Sequence, residues 1–174
     1  MTGAVVAAGV PVSAGGQIVH LTNDTENGTA AESNLTYGGG FTANQSMTIT
    51  KLGALCRTTF IGSTASVRLG IWSNSATLLA STALTTVTLS RLEGDALIPL
   101  TSSLSVSSGT VYYFGLFLSA TADNGKFLGS NSGNVVPFPS GYFAPASTPG
   151  AEDGFAKPGA YSVPNCPNFV LQTA

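Results

Sequence analysis

Protein chemistry needs side chains that can move a proton, attack a carbon or hold a metal, and this 174-residue chain has few of them. Its single histidine is His20. No Ser, Cys or carboxylate motif accompanies that imidazole to mark it as a general base, so it is read as a plain polar residue. Acids stand close together twice, at Glu93 and Asp95 and at Glu152 and Asp153. A glycosidase needs its two carboxylates on opposite sides of a sugar, about 5 to 9 Å apart, and near-neighbours on a loop are read as solvated instead. The sequence lacks a G-x-S-x-G elbow, a glycine-rich phosphate loop opening a helix, and H-E-x-x-H. The expectation is a protein that is not an enzyme, with no catalytic residue and no cofactor.

Binding chemistry has more candidates. Asp24, Glu26 and Asn27, and further on Asp123 with Asn124, carry oxygen ligands hard enough for calcium, but no D-x-D-x-D-G loop organises them and no metal is assigned. Trp72, Tyr142, Phe143 and Tyr161 are the candidate contact residues, for a partner protein or a glycan. Sugars stack on exposed aromatic faces, and subunit contacts are rich in the same side chains. Contact with another subunit is the favoured of the two. Cys56 and Cys166 are too few for a disulfide scaffold and too far apart for C-x-x-C. They read as buried free thiols, with a bridge as the alternative, because the first and last strands of a sandwich often lie side by side.

The bulk composition narrows the partners. Hydrophobic residues make up 43% of the chain and charged residues only 8%, where an average soluble protein has about 25%. Such a surface relies on hydroxyls and amides or on a partner that covers it, which points to assembly. Six cations scattered along a chain of net charge −2 cannot form the basic stripe that neutralises a row of phosphates, so nucleic acid is not expected as a partner. The opening MTGAVVAAGVPVSAGG has no basic residue after Met1 and is broken by Pro11 and several glycines. Neither a signal peptide nor membrane insertion is read there.

The elements that must position these residues are strands. Residues 1–46 read as an extended arm with loops, marked by Gly15-Gly16, Asn27-Gly28 and Gly38-Gly39-Gly40, and contain one short strand at 17–22. In that strand Ile18 and His20 share one face, and Val19 and Leu21 the other. From Met47 the chain breaks into short alternating runs: 47–56 with a bend near Gly53, a hairpin of 67–72 and 77–81, then 85–89 and 96–100, with Pro99 marking an edge. In the hairpin Val67, Leu69 and Ile71 are predicted to face inward, and Trp72 to point away from the core. The run 110–119 (TVYYFGLFLS) is apolar on both faces, so it belongs mid-sheet, with the core on one side and an arm, loop or second subunit on the other. Residues 131–167 are dense in Gly, Pro and aromatics and read as a long ordered loop that packs onto something, before a closing strand at 168–172. The fold class is all-β, an antiparallel two-sheet sandwich occupying 47–174.

Three segments, MTITKLGALCR (47–57), VRLGIWSNSATLLAS (67–81) and LIPLTSSLSVSSGTVYYFGLFLS (97–119), together resemble a jelly-roll module of tailed-phage virion proteins and bacterial surface proteins. The resemblance implies a virion structural protein assembled in the host cytoplasm, most simply a capsid decoration (cement) protein. Its implied partners are its own copies, as a homotrimer, and the major capsid protein or other virion proteins. Its alternative is a carbohydrate-binding, receptor-recognition module of a tail fibre or bacterial surface protein, with a host surface glycan as ligand. An arm that reaches to a neighbour would leave the chain folded after deletion of residues 1–22.

Overall fold

The computed structural model describes residues 16–21, 27–30, 32–58, 64–88, 94–95, 97–121, 125–129, 141–159, 161–163 and 166–174. Side chains are described for 16–21, 32–54, 66–87, 97–119, 141–159, 163 and 166–174. Among the described residues there are strands and no helix. In chain order these are β1 (Ile18–His20), β2 (Asn27–Ala30), β3 (Leu35–Ala43), β4 (Met47–Thr58), β5 (Thr64–Ser73), β6 (Leu78–Ser81) and β7 (Thr85–Thr88). Then follow β8 (Gly94–Asp95), β9 (Ile98–Val106), β10 (Val111–Thr121), β11 (Gly125–Gly129), β12 (Phe143–Pro145), β13 (Gly150–Asp153), β14 (Tyr161–Ser162) and β15 (Phe169–Thr173).

Two antiparallel sheets pack face to face, as the alternating runs predict. The first follows the order β1-β15-β4-β11-β2, with β8 and β9 also paired to the long β4. The second runs β14-β13-β3-β10-β5-β6, with β12 added to β3 and β7 to β5. An isolated bridge between Thr82 and Leu100 joins the sheets at one corner. Phe41, Phe114 and Phe143 come from the second sheet and Phe169 from the first. The Phe114 ring lies 5.4 Å from Phe41, 5.3 Å from Phe143 and 6.3 Å from Phe169. Edge-to-face pairs of this kind add about 0.5–1.5 kcal/mol each beyond the area they bury, so the four rings tie one sheet to the other.

Three local expectations are corrected. Residues 35–43, expected to belong to the arm and loops, form the strand β3 at the middle of the second sheet, paired with β10 from Leu35↔Leu118 to Thr42↔Val111. Its three glycines hid the period-2 pattern that Leu35, Tyr37, Phe41 and Ala43 carry on the core side. The expected bend at Gly53 is absent, since Gly53 pairs in register with Val170. The irregularity falls at Thr50, between Ile49 and Lys51 on the β9 side, where the Thr50 hydroxyl donates to the Gln172 carbonyl at 3.1 Å. The described part of the N-terminal segment adds β1 to this chain's own β15, with Ile18 opposite Gln172, rather than reaching to a neighbour. Its faces fall as predicted, with Val19 and Leu21 in the core.

The last correction changes what truncation does. Each buried aliphatic side chain contributes about 1.5–3 kcal/mol, and Val19 and Leu21 are both fully buried. Deleting residues 1–22 therefore removes about 3–6 kcal/mol from a total stability of about 5–15 kcal/mol. Chemical denaturation should show that loss as a lower midpoint. Deletion of 1–15, which touches none of the described contacts, should leave the midpoint in place.

Candidate functional site

Strand β10 sets the problem that the outer face of the second sheet has to solve. Tyr112, Phe114, Leu116 and Leu118 point into the core, so Val111, Tyr113, Gly115 and Phe117 face the other way. In register with Gly115 lie Gly38 on β3 and Gly70 on β5, and Gly150 on β13 lies opposite Gly38. Residues directly opposite one another in a sheet share a face, so the four glycines form a trench across four strands. Rows of larger side chains flank it. Tyr113 and Trp72 stand on one side, Phe117 and Arg68 on the other.

The trench is filled by aromatic rings. A β-carbon on Gly70 would lie 2.6 Å from Cη2 of Trp72 and 2.8 Å from Cζ of Phe155. One on Gly115 would lie 2.8 Å from Cζ3 of the same indole. The Phe155 ring packs 5.0 Å from Trp72 and 5.8 Å from Phe117, and the Arg68 guanidinium caps it at 4.0 Å. Arg68 is held over the ring by a bond from Nη2 to the Ser81 hydroxyl at 2.9 Å and one from Nε to the Thr82 carbonyl at 3.3 Å.

Phe155 arrives on a short strap, residues 154–159. Gly154, at φ +67°, turns the chain off β13 in a left-handed conformation that other residues rarely adopt. Its amide donates to the Asn34 carbonyl at 2.7 Å, and its carbonyl accepts from the buried Thr36 hydroxyl at 2.5 Å. Farther along, the Lys157 ammonium sits 3.6 Å above the Tyr113 ring. The other side of that ring lies against Gly40, where a β-carbon would be 3.1 Å away. Beside the strap opens a cleft of about 740 Å³, whose lining includes Leu78, Tyr113, Ser147, Thr148, Glu152 and Lys157. Asp153 stands at its rim, and among the described residues no ion pair engages these acids. The cleft can offer hydroxyls and carboxylates to a polar ligand, but its aromatic faces are already covered.

The residues singled out from sequence do not meet in one place. Trp72 does point away from the main core, as predicted, yet it is 3% exposed under the strap and presents no free face. Phe143 is buried in the core against Phe114. Both are therefore corrected as exposed contact residues. Tyr142 packs at the rim of the core with its hydroxyl donating to the Gln17 side-chain oxygen. Tyr161 pairs through its backbone with Ala151, and its side chain lies outside the described residues. So do the side chains of Asn27, Cys56 and Asp95, and the whole of Asp24, Glu26, Glu93, Asp123 and Asn124. Among the described residues no three of His, Cys, Asp and Glu gather to hold a metal. His20 lies half-buried on β1 at the edge of the first sheet. Cys166 is a free thiol rather than half of a bridge, completely buried beneath Gly39.

Sequence reasoning named Phe155 only as one aromatic in a loop expected to pack. The signal that could have placed it is the outward Tyr113, Gly115 and Phe117, which require an apolar cover of matching shape. No protein-family model matches the chain, and no curated protein matches it.

Two measurements check this geometry. Trp72 is the only tryptophan, so its emission reports on the strap alone. Phe155→Ala should shift that emission to the red and cost about 2–3 kcal/mol of stability, somewhat less than for a fully enclosed ring. Burial pushes the Cys166 thiol up from its usual 9.0, so above that pH the unfolded chain sheds a proton that the folded chain keeps. The Cys166 contribution to stability is thus intact below pH 9.0 and falls by about 1.4 kcal/mol per pH unit above it. Cys166→Ala should lack that extra alkaline slope in denaturation curves taken from pH 8 to 11.

Proposed function

We propose that this chain is a non-enzymatic structural protein of a phage particle, a capsid decoration protein that works by protein-protein contact as a homo-oligomer against the shell. The resemblance of 47–57, 67–81 and 97–119 to virion jelly-roll modules supplies the setting. The observation that carries the mechanism is a surface with 8% charged residues on which leucines remain in solvent. Leu78, Leu79 and Leu84 are 42%, 38% and 55% exposed in a fold that already covers the far less accessible outer face of β10. Apolar side chains left out of so thoroughly closed a sandwich are available for a partner. Contacts of modest area reinforce one another when several are made at once on a repeating shell, which is how a small uncharged module gains avidity.

The glycan-binding alternative has lost two of its candidate platforms, since Trp72 and Phe143 are buried. It stays as an outcome of the test. Mass spectrometry of purified phage particles should find the chain, and electron microscopy should place it as a protrusion repeated at capsid symmetry axes. Density confined to the tail would replace decoration by receptor attachment. Absence from particles would overturn the reading.

A further inference from the structure

The edge of the second sheet formed by β6 and β7 is unusual in what it lacks. Both strands pair with β5 on one side, β6 at residues 70–72 and β7 at 64–67. On the outer side β6 meets β9 only at the corner, through the Thr82–Leu100 bridge and a 3.0 Å bond from the Thr101 hydroxyl to the Ser81 carbonyl. Among the described residues no strand covers the outer side of Leu78–Ala80 or of β7. Proteins guard such edges with lysine, proline or inward charges, as β9 does with Pro99. Here the sequence carries no charged residue from Leu69 to Ser90. Three of the four large hydrophobic residues exposed among the described residues, Leu78, Leu79 and Leu84, lie on this one edge or its turn.

We infer that the β6–β7 edge is a self-association edge, and that its occupant is the same edge of a second copy of this chain. The choice of occupant follows from charge. A charged partner would find no counter-charge here. A two-fold contact, by contrast, sets each patch against its own copy, where any charge would meet its like. A chargeless edge of leucine and threonine is what that symmetry requires, since leucine adds buried area and threonine pairs favourably with threonine across strands. The main chain of 78–80 and 85–88 supplies ladder hydrogen bonds, as in other strand additions. The edge is short, so the contact falls below roughly 1,200 Å² in total and is weak and reversible, with a Kd on the order of tens of micromolar.

This inference deepens the proposed function and rests on its claim of homotypic contact, though not on the phage setting. Sedimentation velocity of the full chain from about 5 to 200 µM tests it. The wild type should shift from monomer to dimer over that range. Leu79→Lys and Leu84→Lys, both on exposed positions, should stay monomeric at the highest concentration while keeping the wild-type Trp72 emission. Ile18→Lys, on the edge of the first sheet and 48% exposed, should dimerise normally. A wild type that stays monomeric, a dimer indifferent to both lysines, or a trimer, would each overturn the inference. A lysine-sensitive dimer from a chain absent from phage particles would uphold the edge and sink the phage reading. A chain found on capsids yet monomeric in solution would do the reverse.

Discussion

A strand that is apolar on both faces must be covered twice, and β10 imposes that constraint on the whole second sheet. On the inner side the solution is the ordinary one, a layer of phenylalanines and aliphatics shared with the first sheet. On the outer side no second layer of sheet exists, so the cover has to be thin. Four glycines in register lower the floor, and Trp72 and Phe155 lie in the space that side chains would otherwise occupy. The trench and the strap are one device, because neither the glycines nor the aromatics make sense without the other. Arg68 completes it, with its charge kept at the surface and its guanidinium plane spread over Phe155.

The rest of the sandwich follows from how that sheet is closed. β15 is inserted between β1 and β4, so the most distant described parts of the chain are neighbours: the Thr173 amide donates to the Gln17 carbonyl at 3.0 Å. Burying Val19 and Leu21 on one side of this junction and Phe169 and Leu171 on the same core side makes the N-terminal strand part of the fold, not an appendage. Exposed apolar surface is then concentrated where the sandwich leaves an edge unguarded, which is the physical basis of the proposed function as a contact protein.

Much of this was legible in the residues. V-x-L-x-I at 67–71 fixed which face of β5 is inward, and the two-faced run at 111–118 demanded an outer cover that the structure supplies as a loop. The aromatic content of the loop beyond residue 131 said that it packs, and Phe155 does. The failures share one cause. Glycine carries no periodic signal, so Gly38-Gly39-Gly40 concealed a central strand, and the trench emerged only when register set Gly38, Gly115 and Gly70 side by side. The burial of Trp72 could not be read locally either, because its cover comes from a segment far along the chain. Alternation tells which face a side chain takes but not what lies upon that face.

The pairing of Ile18 with Gln172 also governs the order of events when the protein is made. A pairing of such sequence separation is slow to find, because the entropy of closing the intervening loop is lost before any contact repays it. During synthesis β10 emerges well ahead of Phe155 and β15, so its oily surfaces travel unshielded through much of translation. A nascent chain in that condition is a natural client for chaperones that hold extended apolar segments apart until the final strand arrives.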